Sequence, residues 1–293
     1  MDLGIVIVNY NTRALLERCL ETVLASVGVT FQVCVVDNHS PDDSAALVAA
    51  KFPQIQLIAN TDNVGYPAAN NQGLQRLGFA AGACPTAPRY ALLLNPDTEV
   101  PPEAFRKMLD FMAAHPDAGV AGPRLVRPDG SLDLACRRAF PSPEVSLYRL
   151  LGLSRLFPQS PRFGRYNLTY LDEHQTAEVD SVVGAFMLVR REAIESAGLL
   201  DDTFFMYGED LDWAYRIKAA GWKVYYYPDV TVLHVKRAAS KQSPKAQVEF
   251  WRAMEIFYCK HYAQQTPRWL HYLILGIVRL QTRLVAWKVG YRV

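Results

Sequence analysis

An α/β fold built on a mainly parallel sheet with helices on both faces is the class this chain predicts, and three observations carry it. Strand-like and helix-like stretches alternate through the first 100 residues in the order βαβαβαβ, a pattern that packs as parallel strands joined by crossover helices. Polar residues at Asn9, Asp37, Asn60 to Asn63 and Asp97 fall at the ends of the apolar runs, and in such sheets ligands collect at the C-terminal strand ends. Half of the 293 residues are apolar, enough for one large domain or two closely fused ones.

Leu3 to Val8 is a continuous apolar run of buried-strand character. Thr12 to Ala25 places Leu15, Leu16, Cys19, Leu20 and Val23 at helical spacing, with Thr12 positioned to cap the helix. Gln32 to Val36 reads as a second strand ending at Asp37, Asp42 to Lys51 as a helix, and Gln54 to Ala59 as a third strand. Pro67 to Phe79 is helical and Tyr90 to Leu94 is the fourth strand. Pro101-Pro102-Glu103 opens a helix that runs to about His115. From Pro128 to Asp172 no period is sustained, and the stretch reads as a long irregular loop on the acceptor side of a site. Ser181 to Arg190 is strand-like, Asp210 to Ala220 is a helix closed by Gly221, and Lys223 to Tyr227 is a further strand. No internal repeat or low-complexity segment is evident.

The formal charge is only +2, but it is unevenly spread. From residue 236 onward eleven Lys/Arg face only Glu249 and Glu255, an excess of +9, so the first 235 residues carry −7. An acidic body with a basic tail implies different surroundings for the two parts. Five cysteines without CxxC spacing fit a reducing compartment and indicate neither a disulfide framework nor a zinc site. Asp2 and the short apolar run Ile5 to Val8 argue against a signal peptide. The absence of about 20 uninterrupted apolar residues argues against a spanning helix. The body is therefore expected in the cytoplasm. Nucleic-acid binding is disfavoured by the acidic body and the lack of a recognition motif.

The chemistry is concentrated in two acidic motifs. Asn95-Pro96-Asp97 ends the apolar run Tyr90 to Leu94, and Glu209-Asp210-Leu211-Asp212 lies well downstream. A carboxylate at a strand end can hold a metal against a diphosphate. A second acidic cluster can supply a general base for a sugar hydroxyl. Together they point to sugar transfer from an activated nucleotide.

Further segments extend this pattern: Val8-Asn9-Tyr10-Asn11, Val36-Asp37-Asn38-His39-Ser40, Asn63 to Gly73, Gly184 to Arg191 and Leu200 to Asp210. In this order, across roughly residues 3 to 236, the chain resembles an inverting glycosyltransferase of family 2 with the GT-A fold, and within it the bacterial rhamnosyltransferase-like group. The resemblance implies a Rossmann-like mixed, mainly parallel sheet, followed here by amphipathic C-terminal helices. Residues 1–100 are then the nucleotide-sugar half and 101–235 the metal- and acceptor-binding half of one domain, with 236–293 a basic tail.

The resemblance also assigns roles. Asp37 is expected to accept the imide N–H of uracil or thymine, although a turn or capping Asp is the plainer reading at this turn-rich spot. Asn9, Tyr10, Asn38, Asn63, Gly65, Asn70 and Asn95 belong to the same nucleotide-binding set. Gly65 suits a close backbone approach or a positive φ, and the helix that follows suits phosphate or ribose oxygens. Asp97 is the expected ligand of Mg²⁺ or Mn²⁺, with Asn95 at a position where many relatives carry a first aspartate. His234, after the run Val230 to Leu233, is the expected completion of the metal site. Asp210 is the expected catalytic base. Glu209 orients it or holds acceptor, and crowded negative charge raises the pKa of Asp210. The same acids also suit a helix first turn. Gly184, Asp212 and the aromatic Trp213 are candidates for acceptor contact, though such aromatics are commonly core. Arg216 is placed for an ion pair with Asp212 one turn away. Lys236, Arg237 and Lys241 could close over a pyrophosphate, with a solvated linker equally open.

Two amphipathic stretches make up the tail, Ala246 to Tyr262 and Trp269 to Tyr291. The second carries an apolar stripe through Trp269, Leu273, Ile277, Leu280, Leu284, Trp287 and Tyr291, beside Arg279, Arg283, Lys288 and Arg292. This reads as an interfacial anchor on the inner face of the cell membrane, with an oligomer-forming helix left open. The expected reaction moves a sugar, rhamnose from a dTDP donor, onto a polyprenyl-linked or growing surface glycan. A UDP-hexose donor and a catalytically silent scaffold stay open. A nucleotidyltransferase is disfavoured because Asn9 to Arg13 supplies no glycine-rich triphosphate loop.

Overall fold

The structure, a computed structural model, describes residues 1–235 and 244–291. Four strands, β1 (Leu3–Asn9), β2 (Phe31–Asp37), β3 (Gln56–Ala59) and β4 (Tyr90–Leu94), alternate with helices α1 (Arg13–Leu24), α2 (Ser44–Lys51) and α3 (Tyr66–Arg76). They lie in the order β3-β2-β1-β4, all parallel, as the alternation predicts. β1 and β4 are buried along their whole length, which is why they read as unbroken apolar runs. Asn9 pairs with Asp37 and Asp37 with Ala59, so the polar strand ends share one edge. Thr12 does not cap α1 through its side chain; its hydroxyl donates to Asn9 Oδ1 at 2.6 Å.

Beyond β4 the sheet turns mixed. A two-residue strand β5 (Thr98–Glu99) and helix α4 (Ala104–Ala114) lead into β6 (Ala118–Val126). Helices α5 (Pro143–Leu150) and α6 (Leu153–Leu156) interrupt the stretch expected to be irregular. Then come β7 (Ala177–Val179), β8 (Phe186–Arg190), α7 (Arg191–Ala197), α8 (Glu209–Ala219) and β9 (Lys223–His234). The sheet continues from β4 as β8-β6-β9-β5, with β7 also on β9. β8 runs antiparallel to both β4 and β6, whereas β6 and β9 are parallel.

β6 carries Gly119, Gly122 and Pro123 and gives no strand signal in sequence. Its small residues answer to packing: a Cβ on Gly119 would sit 2.6 Å from Trp222, and one on Gly122 2.8 Å from Val182. β9 extends seven residues past the expected Tyr227. Between β6 and β9 the register jumps from Pro123 opposite Tyr227 to Arg124 opposite Thr231, so Pro228 lies within an irregularity that tolerates its missing N–H. That extension brings His234 opposite Thr98 and hence beside Asp97.

The main core lies on both faces of the sheet. A smaller cluster, Phe204, Leu211, Ala253 and Phe257, ties the start of α8 to α9 (Pro244–His261). The last helix, α10 (Arg268–Lys288), packs on α9 through Leu275, Val278, Thr282 and Ala286. Among the described residues no helix is long and apolar enough to cross a membrane.

Candidate active site

At the C-terminal edge of β1 and β2, Asn9 is wholly buried. It donates to Asp37 Oδ1 at 2.8 Å and Ser40 Oγ at 3.0 Å. Asp37 Oδ2 accepts Ser40 N at 2.9 Å. Asn38 donates to Asn63 Oδ1 (2.9 Å) and Gly65 O (3.2 Å), while its own oxygen accepts Asn60 Nδ2 and Val64 N. The Asn9 and Asn38 side chains thus shape the loops at this edge. Asp37 keeps spare acceptor lone pairs, and Tyr10 projects from the edge, half exposed.

Gly65 takes φ +91°, but the backbone approaching it is protein: a Cβ there would lie 2.7 Å from Phe205 O, the acceptor of Tyr66 N. This contact locks the start of α3 to the loop that enters α8. Asn70, also wholly buried, donates to Tyr66 O at 2.8 Å and leaves Oδ1 buried without a partner. It braces the Tyr66 carbonyl in the first turn of α3.

Tyr66 is the hinge of the site, although sequence reasoning gave it no role. Its hydroxyl donates to Asn95 Oδ1 (3.0 Å) or Gly184 O (3.2 Å). Asn95 therefore spends its amide oxygen on Tyr66. Burial, and then the charges of Glu209 and Asp210, hold the Tyr66 hydroxyl far above its usual pKa, so it stays a neutral donor. On the other side of Gly184, its N–H donates to Asp210 Oδ2 at 3.0 Å. Asn95, Tyr66, Gly184 and Asp210 form one connected line.

At one end of this line stands the metal candidate pair. His234 Nε2 is 3.3 Å from Asp97 Oδ1, and its Nδ1 donates to Asp133 Oδ2 at 2.9 Å. Burial opposes a charged imidazole, yet bonds to Asp133 and Asp97 push His234 up to about 9. Asp133, unflagged by the sequence, holds the ring so that Nε2 faces Asp97. Among the described residues no cluster of three His, Cys, Asp or Glu could by itself hold a metal. One carboxylate and one imidazole nonetheless suit a site in which diphosphate oxygens complete the coordination.

At the other end, Asp210 is buried and ion-paired to the buried Arg138, Nη2 to Oδ2 2.7 Å. Its Oδ1 accepts Leu211 N at 2.8 Å. Burial disfavours the Arg138 charge, but Asp210 and the Tyr166 hydroxyl more than restore it. Crowded negative charge acts on the neighbouring acid, Glu209. Burial first, then the charge of Asp210, push Glu209 up to about 8, and its Oε2 is buried with no partner. Arg138 is the cation that sequence reasoning missed; it neutralises Asp210 and leaves Glu209 to carry the mutual repulsion.

Two acceptor candidates are engaged within the protein. Asp212 is wholly buried and bonded to Arg216 (2.8 Å), Lys260 (2.7 Å) and His261 Nε2 (2.7 Å). Burial alone would raise it, but these partners bring it down to about 2. It is a staple from α8 to α9, and the expected pair with Arg216 is one arm of it. Trp213 is also wholly buried and donates to Gly198 O at 2.8 Å, a core residue. Lys236, Arg237 and Lys241 lie outside the described residues.

The family model described as "Glycosyltransferase like family 2" matches residues 2–249. The chain is 28% identical to the N-acetylglucosaminyl-diphospho-decaprenol L-rhamnosyltransferase of Mycobacterium tuberculosis, over 97% of this chain and 92% of that one. It is 31% identical to the succinoglycan biosynthesis protein ExoO of Rhizobium meliloti over 71% of this chain and 53% of that protein. A mannosyltransferase of Pyrobaculum calidifontis, solved with GDP-Man and Mn²⁺, superposes with a TM-score of 0.57 at 16% identity, covering 98% of this chain and 74% of that one. With the family matched across most of its length and the GT-A sheet in place, the chain belongs to the family 2 glycosyltransferases and is itself a transferase of sugars.

Proposed function

We propose that this protein transfers rhamnose from dTDP-rhamnose, with inversion, to a sugar carried on a polyprenyl diphosphate. The observation that carries the reading is the hydrogen-bonded line from Asn95 through Tyr66 and Gly184 to Asp210. It holds a metal-ready pair, Asp97 and His234, and a buried carboxyl pair, Glu209 and Asp210, in a fixed relation. Donor diphosphate and acceptor hydroxyl need such a relation on opposite sides of one anomeric carbon. The choice of sugar and carrier is supported by the near full-length likeness to the mycobacterial rhamnosyltransferase.

In this reading Asp210 takes the proton of the acceptor hydroxyl as its oxygen bonds to the anomeric carbon. The bond from that carbon to the diphosphate breaks, and the nucleoside diphosphate departs with the bonding electrons. Arg138 and the Gly184 N–H hold and aim Asp210, leaving Oδ1 with acceptor capacity beyond Leu211 N. Glu209, inclined to be protonated near neutrality, donates a hydrogen bond to acceptor or donor oxygen. Asp37 accepts from the base, and Tyr10 is the exposed ring available to stack on it. Asp97 and His234 would hold Mg²⁺ or Mn²⁺, which when bound offsets charge developing on the leaving diphosphate.

Calorimetric titration of dTDP, UDP and GDP, each with Mn²⁺ and then with EDTA, tests the donor half. Metal-dependent binding of dTDP above the other two is expected; preference for UDP or GDP would overturn the choice of sugar donor. Transfer from dTDP-rhamnose to N-acetylglucosaminyl diphosphate prenol tests the acceptor half.

A further inference from the structure

We infer that the apolar cavity between α5, the start of α8, α9 and α10 holds the isoprenoid chain of the acceptor. This deepens the polyprenyl reading above and rests on it. The cavity encloses about 280 Å³ and its wall is almost wholly apolar. Among the described residues no acidic one lines it, and Arg149 is the one charged residue in its wall. An apolar wall of this kind favours a hydrocarbon and gives a sugar little to bond to.

Position argues for an acceptor chain over any other hydrocarbon. Gly208 and Leu211, in the cavity wall, bracket Glu209 and Asp210 in sequence. Tyr166 lines the same wall, and its hydroxyl bears on Arg138, which holds Asp210 at 2.7 Å. A chain lying here ends beside the proposed base, where a lipid-linked sugar must present its hydroxyl. Charge agrees: the Arg149 guanidinium lies 4.5 Å from the Tyr166 ring centre at the cavity wall, placed for the diphosphate that joins sugar to prenol.

The mouth continues onto exposed apolar surface. Leu147 and Leu150 of α5 line the cavity yet are 50% and 56% exposed. Ile277 lines it from α10, whose outer row continues through Leu273, Leu280 and Leu284, all exposed. Exposed Arg283 and Lys288 stand beside that row. A long prenol anchored in an anionic bilayer would pass from the membrane along this row into the cavity.

Saturable quenching of tryptophan fluorescence by geranylgeranyl diphosphate tests the site, since Trp251 is in the wall. Inorganic diphosphate and palmitate serve as controls. We expect saturable binding of the prenyl diphosphate, absent with either control. Leu147→Gln/Leu150→Gln, at exposed positions that leave the core intact, should weaken it by at least about tenfold. Ile277→Gln should weaken it similarly from the other wall. No saturable binding, equal binding of palmitate, or unchanged affinity in both variants would overturn the inference. A native dimer dissociated by the same substitutions would also overturn it, making this face an interface between copies. The donor reading fails separately: a protein that binds the prenyl diphosphate but neither dTDP nor its sugar conjugate keeps the chain site and loses the proposed donor.

Discussion

Glu209 and Asp210 are adjacent acids in opposite surroundings, and the difference is Arg138. Neighbouring carboxyls whose environments pull them apart can divide proton acceptance from proton donation. Asp210→Asn should therefore reduce transfer by roughly 10³-fold, within the usual range for a general base, while donor affinity stays near native. Near-native turnover in that variant would remove Asp210 from the chemistry. Glu209→Gln has a second signature, in stability. The folded carboxyl titrates at about 8, above its ordinary 4.5, so its contribution to folding is intact below pH 4.5 and drains away as pH rises toward 8. Glutamine lacks that loss. The variant's melting temperature should gain on the native protein by a few degrees between pH 5 and pH 8. A difference that stays flat across that range would mean Glu209 does not titrate there.

At the scale of elements, α8 is both the carrier of the proposed catalytic acids and the anchorage of the tail. Asp212 joins it to Lys260 and His261 of α9, so loss of one carboxylate strands buried cations. Asp212→Asn should cost about 2–4 kcal/mol near neutral pH, measured by urea unfolding. Native Asp212 titrates at about 2, below its ordinary 3.8, so its stabilisation is full above pH 4 and lost as pH falls through 2. The variant should show a flatter acid limb over that window; an unchanged limb would place the acid sensitivity elsewhere. The same helix explains what a sequence can and cannot disclose. β1 to β4 and their helices were legible because the strands are short, mainly apolar runs and the helices between them space their apolar residues differently. The stripe Asp210, Trp213, Ala214 and Ile217 is equally periodic and marks the buried face of α8, a signal that could have placed Trp213 in the core. β6 was hidden because packing against Trp222 and Val182 demands glycine where strand propensity asks for branched residues. Asp133 and Arg138 were hidden for another reason: they sit in a stretch without period, and their partners His234 and Asp210 lie 101 and 72 residues away. Only the register of β9, carried past Pro228, brings the first of these pairs together.

Charge divides the whole molecule as the site divides its parts. An anionic leaflet repels a body of −7 and attracts a tail of +9, so the protein behaves as an oriented dipole at such a surface. The proposed contact is α10, with Trp269 71% and Trp287 81% exposed at its two ends and an apolar row between. Aromatic residues at both ends of a basic amphipathic helix suit burial at the headgroup level. In the proposed orientation the mouth beside Leu150 and Ile277 would face the bilayer while the C-terminal edge of the sheet would stay in water. Vesicles containing phosphatidylserine should therefore pull the native protein down, and neutral vesicles should do so weakly. Each basic residue near an anionic surface contributes about 1 kcal/mol, fading beyond a Debye length. Arg283→Glu/Lys288→Glu should then lower the partition by more than about tenfold, and raising the salt from 0.1 to about 0.5 M should act on the native protein in the same direction. Replacing Trp269 and Trp287 by Ala should weaken binding to both kinds of vesicle, because that loss is apolar and not electrostatic. Partition that ignores salt and survives the double charge reversal would show that the tail does not seat the enzyme on the membrane, and the acceptor would then have to reach the cavity from solution.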